Sequence, residues 1–212
     1  WRVMRLALMS DIHANREAFE ACLGDAHRRG FDRLALLGDI VGYGADPVAT
    51  VEMAQAEVAK GAIALIGNHD ACLDRGDEDL NKVARAALSW TRAQLSEGHR
   101  MFLRELPLTA EVDDVLMVHA SANAPQSWEY ITNGGAAERS IRASDKRVTI
   151  CGHVHVPALW LLAHNGTAQA HKPAIGLSIP LPPPRRWLAV LGAVGQPRDG
   201  VPGAGYAMLD TD

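Results

Sequence analysis

The chain has 212 residues and a formal net charge of −4 at pH 7, a balance that argues against a protein coating nucleic acid, which would be basic overall. Hydrophobic residues make up 48% of the sequence and charged residues 22%, which are ordinary globular values and argue against global disorder. This length allows one large domain or at most two small ones, and we predict a single domain covering residues 1–212.

The first third of the chain alternates between strand-like and helix-like segments. Three short apolar runs, at residues 5–10, 33–38 and 62–67, are apolar on both faces, as strands buried inside a sheet are. Helical patterns at residues 15–29 and 47–59 separate them, and Asp46 is the predicted N-cap of the second. The order β-α-β-α-β predicts parallel strands joined by crossover helices.

The remaining chain changes in character after a long helical region. Residues 80–106 are rich in helix-forming side chains, and Pro107 ends that region. Further segments then follow in chain order: a strand and turn at 110–114, a strand at 115–118, a helix at 134–142, a strand at 148–151, and β-like sequence from 156 onward. The shift from alternating α/β to mostly β predicts two sheets packed together rather than two domains.

The cysteines and apolar runs indicate where the protein works. Cys22, Cys72 and Cys151 are far apart and form no CxxC pair, so we predict neither a disulfide framework nor a thiolate zinc site. A reducing cytoplasm is the simplest location. The longest apolar runs, residues 158–163 and 187–194, are far shorter than the ~20 residues of a spanning helix, so no membrane contact is expected.

Five strand-like runs end in side chains that can bind a metal. In chain order, these are Asp11 with His13, Asp39, Asn68 with His69, His119, and His153 with His155. Because sites in open α/β sheets form beyond the carboxyl ends of the strands, we expect these side chains to meet. Such a set is too large for one tetrahedral zinc and suits two ions that share a carboxylate. Nitrogen and oxygen donors without thiolate favour Mn, Fe, Zn or Co, and a pair of such ions can promote in-line displacement at phosphorus.

The segments that contain these residues resemble the five motifs of the calcineurin-like metallophosphoesterases, in order. They are Asp11-Ile12-His13, the glycine-rich residues 38–44, Gly67-Asn68-His69-Asp70, Val118-His119-Ala120-Ser121 and Gly152-His153-Val154-His155, and the resemblance extends to residues 128–131 and 195–200. The likeness is greatest to the small bacterial and archaeal phosphodiesterase branch. It implies an α/β fold, a four-layer αββα sandwich of two mixed sheets flanked by helices. It also implies a binuclear metal-dependent phosphoesterase that cleaves phosphomonoester or phosphodiester bonds of small nucleotide or dinucleotide-type substrates, by attack of a metal-bridging hydroxide.

The resemblance also assigns individual roles. It places Asp11, His13, Asp39 and His155 on one ion, and Asp39, Asn68, His119 and His153 on the other. His69 is not a ligand in the family but the catalytic group, either a proton donor to the leaving oxygen or a hydrogen-bond donor in the transition state. Asn68 and His69 lie beside the substrate, and the neutral oxygen of Asn68 limits negative charge near the phosphate.

The sequence departs from the family pattern at three places. Gly42, Tyr43 and Gly44 stand where Ser/Thr phosphatases carry Asp-Arg-Gly, so the acid that partners the catalytic histidine and a phosphate-binding arginine are missing there. This weakens a protein-phosphatase interpretation. Residues 190–193 replace an Asn-Pro-Gly-Ser segment found in close relatives, and many relatives continue beyond the strand-like run at 206–209.

Several alternatives stay open at this stage. Arg198 is either a surface turn residue or a fork donor to the substrate phosphate, and Tyr43 and Trp128 either line a cleft or pack in the core. The expected partner is a small phosphoester substrate, and general nucleic-acid binding is not expected. The sequence leaves open whether the protein forms a homo-oligomer. The alternative functions are a non-enzymatic metal-binding scaffold on the same fold and a nuclease. The acidic balance disfavours the nuclease.

Overall fold

The computed structural model describes residues 3–75 and 81–211. Its strands, in chain order, are β1 (Met4–Met9), β2 (Arg33–Leu36), β3 (Ile63–Ala64), β4 (Thr109–Val112), β5 (Val115–Val118), β6 (Val148–Cys151), β7 (Ala158–Leu162), β8 (Ala168–His171), β9 (Arg186–Val190) and β10 (Ala207–Thr211). Its α-helices are α1 (Arg16–Arg29), α2 (Pro47–Ala59), α3 (Asn68–Arg75), α4 (Lys82–Gln94), α5 (Glu97–Arg104) and α6 (Gly134–Arg142). Within those ranges, no helix combines the length and apolar character needed to cross a membrane.

The strands form two mixed sheets. The first has the order β10-β1-β2-β3, with β1, β2 and β3 parallel and β10 antiparallel to β1. The second has the order β4-β5-β6-β9-β7-β8, in which β5, β6 and β9 are parallel. The predicted β-α-β-α-β start is therefore confirmed, and parallel neighbours bring their carboxyl ends to a common edge of each sheet.

Alternating side chains of the strands separate the core into layers. In β1, Ala7 and Met9 pack toward helices with Phe19 of α1, whereas Leu6 and Leu8 pack toward the second sheet with Met117 and Ile150. A further cluster joins the other face of the second sheet to α6. This period of two is what a strand between two apolar layers requires, and the result is the expected four-layer αββα sandwich.

Two helical features differ from the sequence prediction. The region predicted as helical from residue 80 lies outside the described residues at its start, and it is interrupted between α4 and α5, where the Ser96 side chain accepts a hydrogen bond from the His99 amide and begins α5. Helix α3 was not predicted, since Asn68 and Asp70 are typical turn residues. Asp46 stands at the N-cap of α2 as predicted, although its side chain makes no capping hydrogen bond.

Candidate metal centre

The loops that follow five strands converge where the two sheets meet. Asp11 lies two residues beyond β1, Asp39 three beyond β2, His119 directly after β5, and His153 two beyond β6. All the predicted ligands are buried: Asp11, His13, Asp39, Asn68, His119, His153 and His155 are each at most 8% exposed. The structure therefore brings together the whole set that the sequence analysis selected.

One group of ligand atoms comes from Asp11, His13, Asp39 and His155, with all four atoms within 4.8 Å of one another. His155 Nε2 lies 3.2 Å from Asp11 Oδ1, and His13 Nε2 lies 3.6 Å from Asp39 Oδ2. Asp11 Oδ1 is buried and has no hydrogen-bond partner among the described residues. A buried, unpaired carboxylate oxygen is costly unless a cation satisfies it.

The two histidines of this group have the tautomer that metal binding needs. His13 Nδ1 lies 3.2 Å from the Val41 carbonyl and His155 Nδ1 lies 2.6 Å from the Gln196 carbonyl. Because a carbonyl only accepts, each Nδ1 carries the hydrogen and each neutral ring presents a lone pair at Nε2. These Nε2 atoms are 3.1 Å apart, and two lone pairs at that distance fit a shared cation rather than a hydrogen bond.

A second group consists of Asp39, His119 and His153, again with ligand atoms within 4.8 Å. His119 Nε2 lies 3.4 Å from Asp39 Oδ2 and 3.1 Å from Asn68 Oδ1. His153 uses the opposite nitrogen, because its Nε2 is 3.0 Å from the Trp128 carbonyl and only Nδ1 is left for an ion. Asp39 belongs to both groups, so the residues fit two cations that share one carboxylate.

The backbone around these groups adopts the left-handed conformation, which residues other than glycine rarely take. Asp11, His13, Asp39, His153 and His155 all have φ between 50° and 66°. Such residues persist only where surrounding contacts hold them. Here the Asp11 amide donates to the Gly38 carbonyl at 3.1 Å, and the His153 amide donates to Asp11 Oδ2 at 2.9 Å. Five of the seven candidate ligands carry this backbone strain.

Gly67 shows how closely the loops approach. A Cβ added there would lie 2.1 Å from both the amide nitrogen and Oδ1 of Asp39, a distance that no side chain tolerates. The missing side chain lets the His69 amide donate to Asp39 Oδ1 at 2.8 Å. This leaves Asp39 Oδ2 facing the histidines of both groups.

His69 lies beside the cluster without being part of either group. Its ring centroid is 5.0 Å from that of His13 and 4.7 Å from that of Tyr43. Its Nδ1 is buried and finds no hydrogen-bond partner in residues 3–75 and 81–211. A Cβ on Gly42 would lie 2.6 Å from this Nδ1, so the glycine that stands at the place of the aspartate of the Ser/Thr phosphatases packs directly against the ring.

The exposed rim of the centre holds the other candidates. The Arg198 amide donates to the His155 carbonyl at 3.2 Å, and the guanidinium donates to Gln196 Oε1 at 2.7 Å and lies 6.0 Å from the centroid of Tyr43. Trp128 is half-buried with its ring centroid 5.8 Å from that of His119. Tyr43 and Trp128 thus contact site histidines rather than the three core clusters. A groove of about 320 Å³ opens beside His13 and Tyr43.

Comparison with known proteins identifies the family. The chain matches the calcineurin-like phosphoesterase superfamily domain over residues 4–212. An uncharacterized protein of Methanocaldococcus jannaschii is 34% identical over 212 residues, which cover 97% of this chain and 82% of that protein. The chain belongs to the calcineurin-like phosphoesterase superfamily.

Solved structures agree with this family. A metallophosphoesterase from Sphaerobacter thermophilus is 40% identical, with a TM-score of 0.84 over 99% of this chain and 84% of that one. A hypothetical protein from Pyrococcus horikoshii OT3, at 16% identity, shares the fold with a TM-score of 0.70 over 98% of this chain and 88% of that one. The chain is therefore a phosphoesterase hydrolase of a metal-dependent family, and the predicted family, fold and enzyme class are confirmed.

The ionisable groups of this phosphoesterase are mostly in the states that metal binding needs. Burial raises the pKa of Asp11, but the close approach of His155 and the charge of His119 outweigh burial and lower the pKa to about 2. Burial lowers the pKa of His13 to about 4 and that of His153 to about 3. At neutral pH the carboxylate is ionised and these two imidazoles are neutral, so none of them must lose a proton to bind an ion.

His119 is the exception. Burial lowers its pKa, but the Asp39 carboxylate outweighs burial and raises the pKa to about 9. Without an ion, this charged imidazole stabilises the fold at pH values below its ordinary pKa of 6.5, and the contribution is lost as the pH rises to about 9. Because an ion needs the neutral ring, metal affinity is expected to rise over the same interval.

Titration with Mn²⁺ near neutral pH should therefore release about one proton from His119. Calorimetry in buffers of different ionisation enthalpy measures this number. His119→Gln and His153→Gln each remove a ligand from the same group, but only His119→Gln should lower proton release by about one, because the low pKa of His153 leaves no proton to displace. Equal proton release from the two variants would contradict a charged His119.

Tyr130 is a residue at the site that the sequence analysis did not select. Its ring stacks on the imidazole of His153, with centroids 3.9 Å apart and planes inclined by 28°. The only available signal was its place in residues 128–131, which resemble a family segment. Nothing in the local pattern distinguishes this tyrosine from an ordinary exposed aromatic residue.

Proposed function

We propose that this phosphoesterase holds two divalent ions, drawn from Mn, Fe, Zn or Co, and hydrolyses small phosphomonoesters or phosphodiesters, with nucleotide and dinucleotide-type substrates favoured. The observation that carries the proposal is the position of Asp39, whose carboxylate belongs to both groups of ligand atoms. Mixed imidazole and oxygen donors without thiolate suit these metals. When bound, the ions supply an acidified water as the nucleophile and Lewis-acid contacts to the phosphate oxygens.

The proposed ligands divide between the two ions. One ion takes Asp11, His13, Asp39 and His155, and the other takes Asp39, Asn68, His119 and His153. Asn68 contributes a neutral amide oxygen next to His119 Nε2. With only two carboxylates among seven ligands, the divalent charges exceed the ligand charges, and the site attracts an anionic phosphate.

His69 is the proposed catalytic group of the chain itself. Its backbone is tied to Asp39 Oδ1, and its ring lies next to His13 and Tyr43. From this position the imidazole N–H is directed to the leaving oxygen, either as a proton donor or as a hydrogen-bond donor to developing negative charge.

Arg198 is the proposed phosphate-binding side chain of the rim. It is exposed, its amide is bound to the loop that carries His155, and its guanidinium carries more N–H donors than the hydrogen bond to Gln196 uses. A guanidinium can hold a phosphate through two parallel hydrogen bonds. The volume of the neighbouring groove suits a small ester rather than a polymer.

The test is hydrolysis of a panel of phosphomonoesters, phosphodiesters and dinucleotide polyphosphates by protein loaded with each metal and by chelator-treated protein. For the best substrate, a single turnover in ¹⁸O-labelled water should place the label in the phosphate product, because the attacking oxygen comes from water. Label found only in the alcohol contradicts attack at phosphorus. Metal-loaded protein that is inert to the whole panel contradicts the proposed function.

A further inference from the structure

Tyr130 lies between the metal centre and solvent. Its side chain is 50% exposed, yet one face of its ring covers the His153 imidazole at 3.9 Å. His153 is also held at its edge, where Nε2 contacts the Trp128 carbonyl at 3.0 Å. The edge contact fixes which nitrogen faces the ion, and the stacked ring fixes the plane of the imidazole.

The other end of Tyr130 reaches Arg198. Burial raises the pKa of the Tyr130 hydroxyl, and the positive charge of the neighbouring Arg198 guanidinium opposes part of that rise. Arg198 also lies 6.0 Å from the centroid of Tyr43 and donates to Gln196 Oε1. Its long, flexible side chain is thus held from several directions, which reduces the entropy lost when it binds a phosphate.

Two connections link Arg198 to the metal ligands. Gln196 accepts from the guanidinium through its side chain and from His155 Nδ1 through its carbonyl. The Tyr130 hydroxyl lies in the electrostatic field of the guanidinium, and its ring stacks on His153. Since His155 and His153 belong to different groups of ligand atoms, Arg198 is anchored to both halves of the centre.

We propose that Tyr130 is a positioning residue with two separable tasks: its ring orients His153 for metal binding, and its hydroxyl holds Arg198 where the substrate phosphate binds. This inference rests on the proposed function, because it assumes ions at His153 and a phosphate at Arg198. Half of the side chain is exposed, so replacing it should cost little folding stability. The expected signature is a loss of ligand binding without a matching loss of fold.

The two tasks are separated by Tyr130→Phe, which keeps the ring, and Tyr130→Leu, which removes it. The control is Tyr206→Phe, which removes another phenol hydroxyl bound to a charged side chain, that of Asp25. Equilibrium dialysis measures Mn²⁺ binding to each protein. Titration of the Mn²⁺-loaded forms with inorganic phosphate measures the affinity of the phosphate site. Thermal unfolding reports the fold.

Tyr130→Phe should bind Mn²⁺ as the parent protein does and bind phosphate about fivefold more weakly, since it loses one hydrogen bond to a partly solvated cation. Tyr130→Leu should weaken one of the Mn²⁺ sites about tenfold, as loss of a group that supports a ligand does, and should also weaken phosphate. Tyr206→Phe should change neither constant.

The inference fails if Tyr130→Leu binds Mn²⁺ and phosphate as the parent protein does. It also fails if Tyr130→Phe loses Mn²⁺ affinity as much as Tyr130→Leu, because the ring would then not be the part that serves His153. These measurements need no turnover. A parent protein that binds Mn²⁺ and phosphate but cleaves no ester would contradict the proposed function and leave the comparison of the variants decisive for Tyr130.

Discussion

Asp39→Asn should remove both ions and lower phosphoester hydrolysis by at least about 10³-fold. The Asp39 carboxylate is shared by the two groups of ligand atoms, so one substitution weakens both sites at once. An amide keeps the shape of the side chain and still accepts the His69 amide hydrogen at Oδ1, where the bond is now 2.8 Å. The loop should therefore stay in place while the charge that binds the ions is lost. Elemental analysis of the purified protein, together with hydrolysis of an aryl phosphodiester, measures the effect.

Asp210→Asn is the matched control for this substitution. Asp210 forms an ion pair with Arg5 on the surface, and both side chains are about half exposed, so its loss should leave metal content and rate unchanged. If Asp39→Asn retains one tightly bound ion and substantial activity, Asp39 is not shared. If it unfolds, the thermal midpoint of the metal-free form will show a loss that the ion sites do not explain.

Local elements of the fold could be predicted where the sequence contains helix-start and capping residues. Helix α2 starts at Pro47 after Asp46, and α6 starts at Gly134 after Asn133, whose side chain caps it; such signals act over a few residues. Helix α3 was missed because its first turn consists of Asn68, His69 and Asp70, which favour turns when taken alone. The insertion of β9 between β6 and β7 depends on pairing between distant segments, which local patterns do not encode.

In the candidate site, too, local sequence predicts some features and long-range packing determines the others. The ligand types follow from five short motifs, because each motif ends a strand and parallel strands place their ends together. The motifs do not predict which ring nitrogen faces the ion. His153 turns Nε2 away from the centre because the Trp128 carbonyl, 25 residues earlier, lies 3.0 Å from that nitrogen. The stacking of Tyr130 and the approach of Arg198 likewise join separate loops. Motifs thus identify which residues act, and long-range packing decides how each one is presented.

His69→Ala should keep both ions and lower the rate by about 10²–10³-fold for esters with poor leaving groups. His69 lies outside both groups of ligand atoms, so no coordinating atom is removed. Its loss should matter less for aryl esters such as a p-nitrophenyl phosphodiester, because that leaving group departs as a stable anion and needs little help from a proton or hydrogen bond. Rates for a series of esters with leaving groups of different pKa, measured on metal-loaded protein of known ion content, give the comparison.

The dependence on leaving group separates the two roles left open for His69. A proton donor makes the loss grow steeply as the leaving group becomes more basic, whereas a hydrogen-bond donor to the phosphate oxygens costs every ester a similar factor. A Cβ added to Gly42 would lie 2.6 Å from His69 Nδ1. The space beside this ring therefore does not hold the acid that supports the corresponding histidine in the Ser/Thr phosphatases. His69 must therefore act without such an acid. A loss that grows with the basicity of the leaving group, as expected above, assigns it the proton-donor role, and a similar loss for every ester would assign the hydrogen-bond role. His171→Ala, on the exposed edge strand β8, should leave rate and ion content unchanged; loss of an ion in His69→Ala would instead make His69 a ligand.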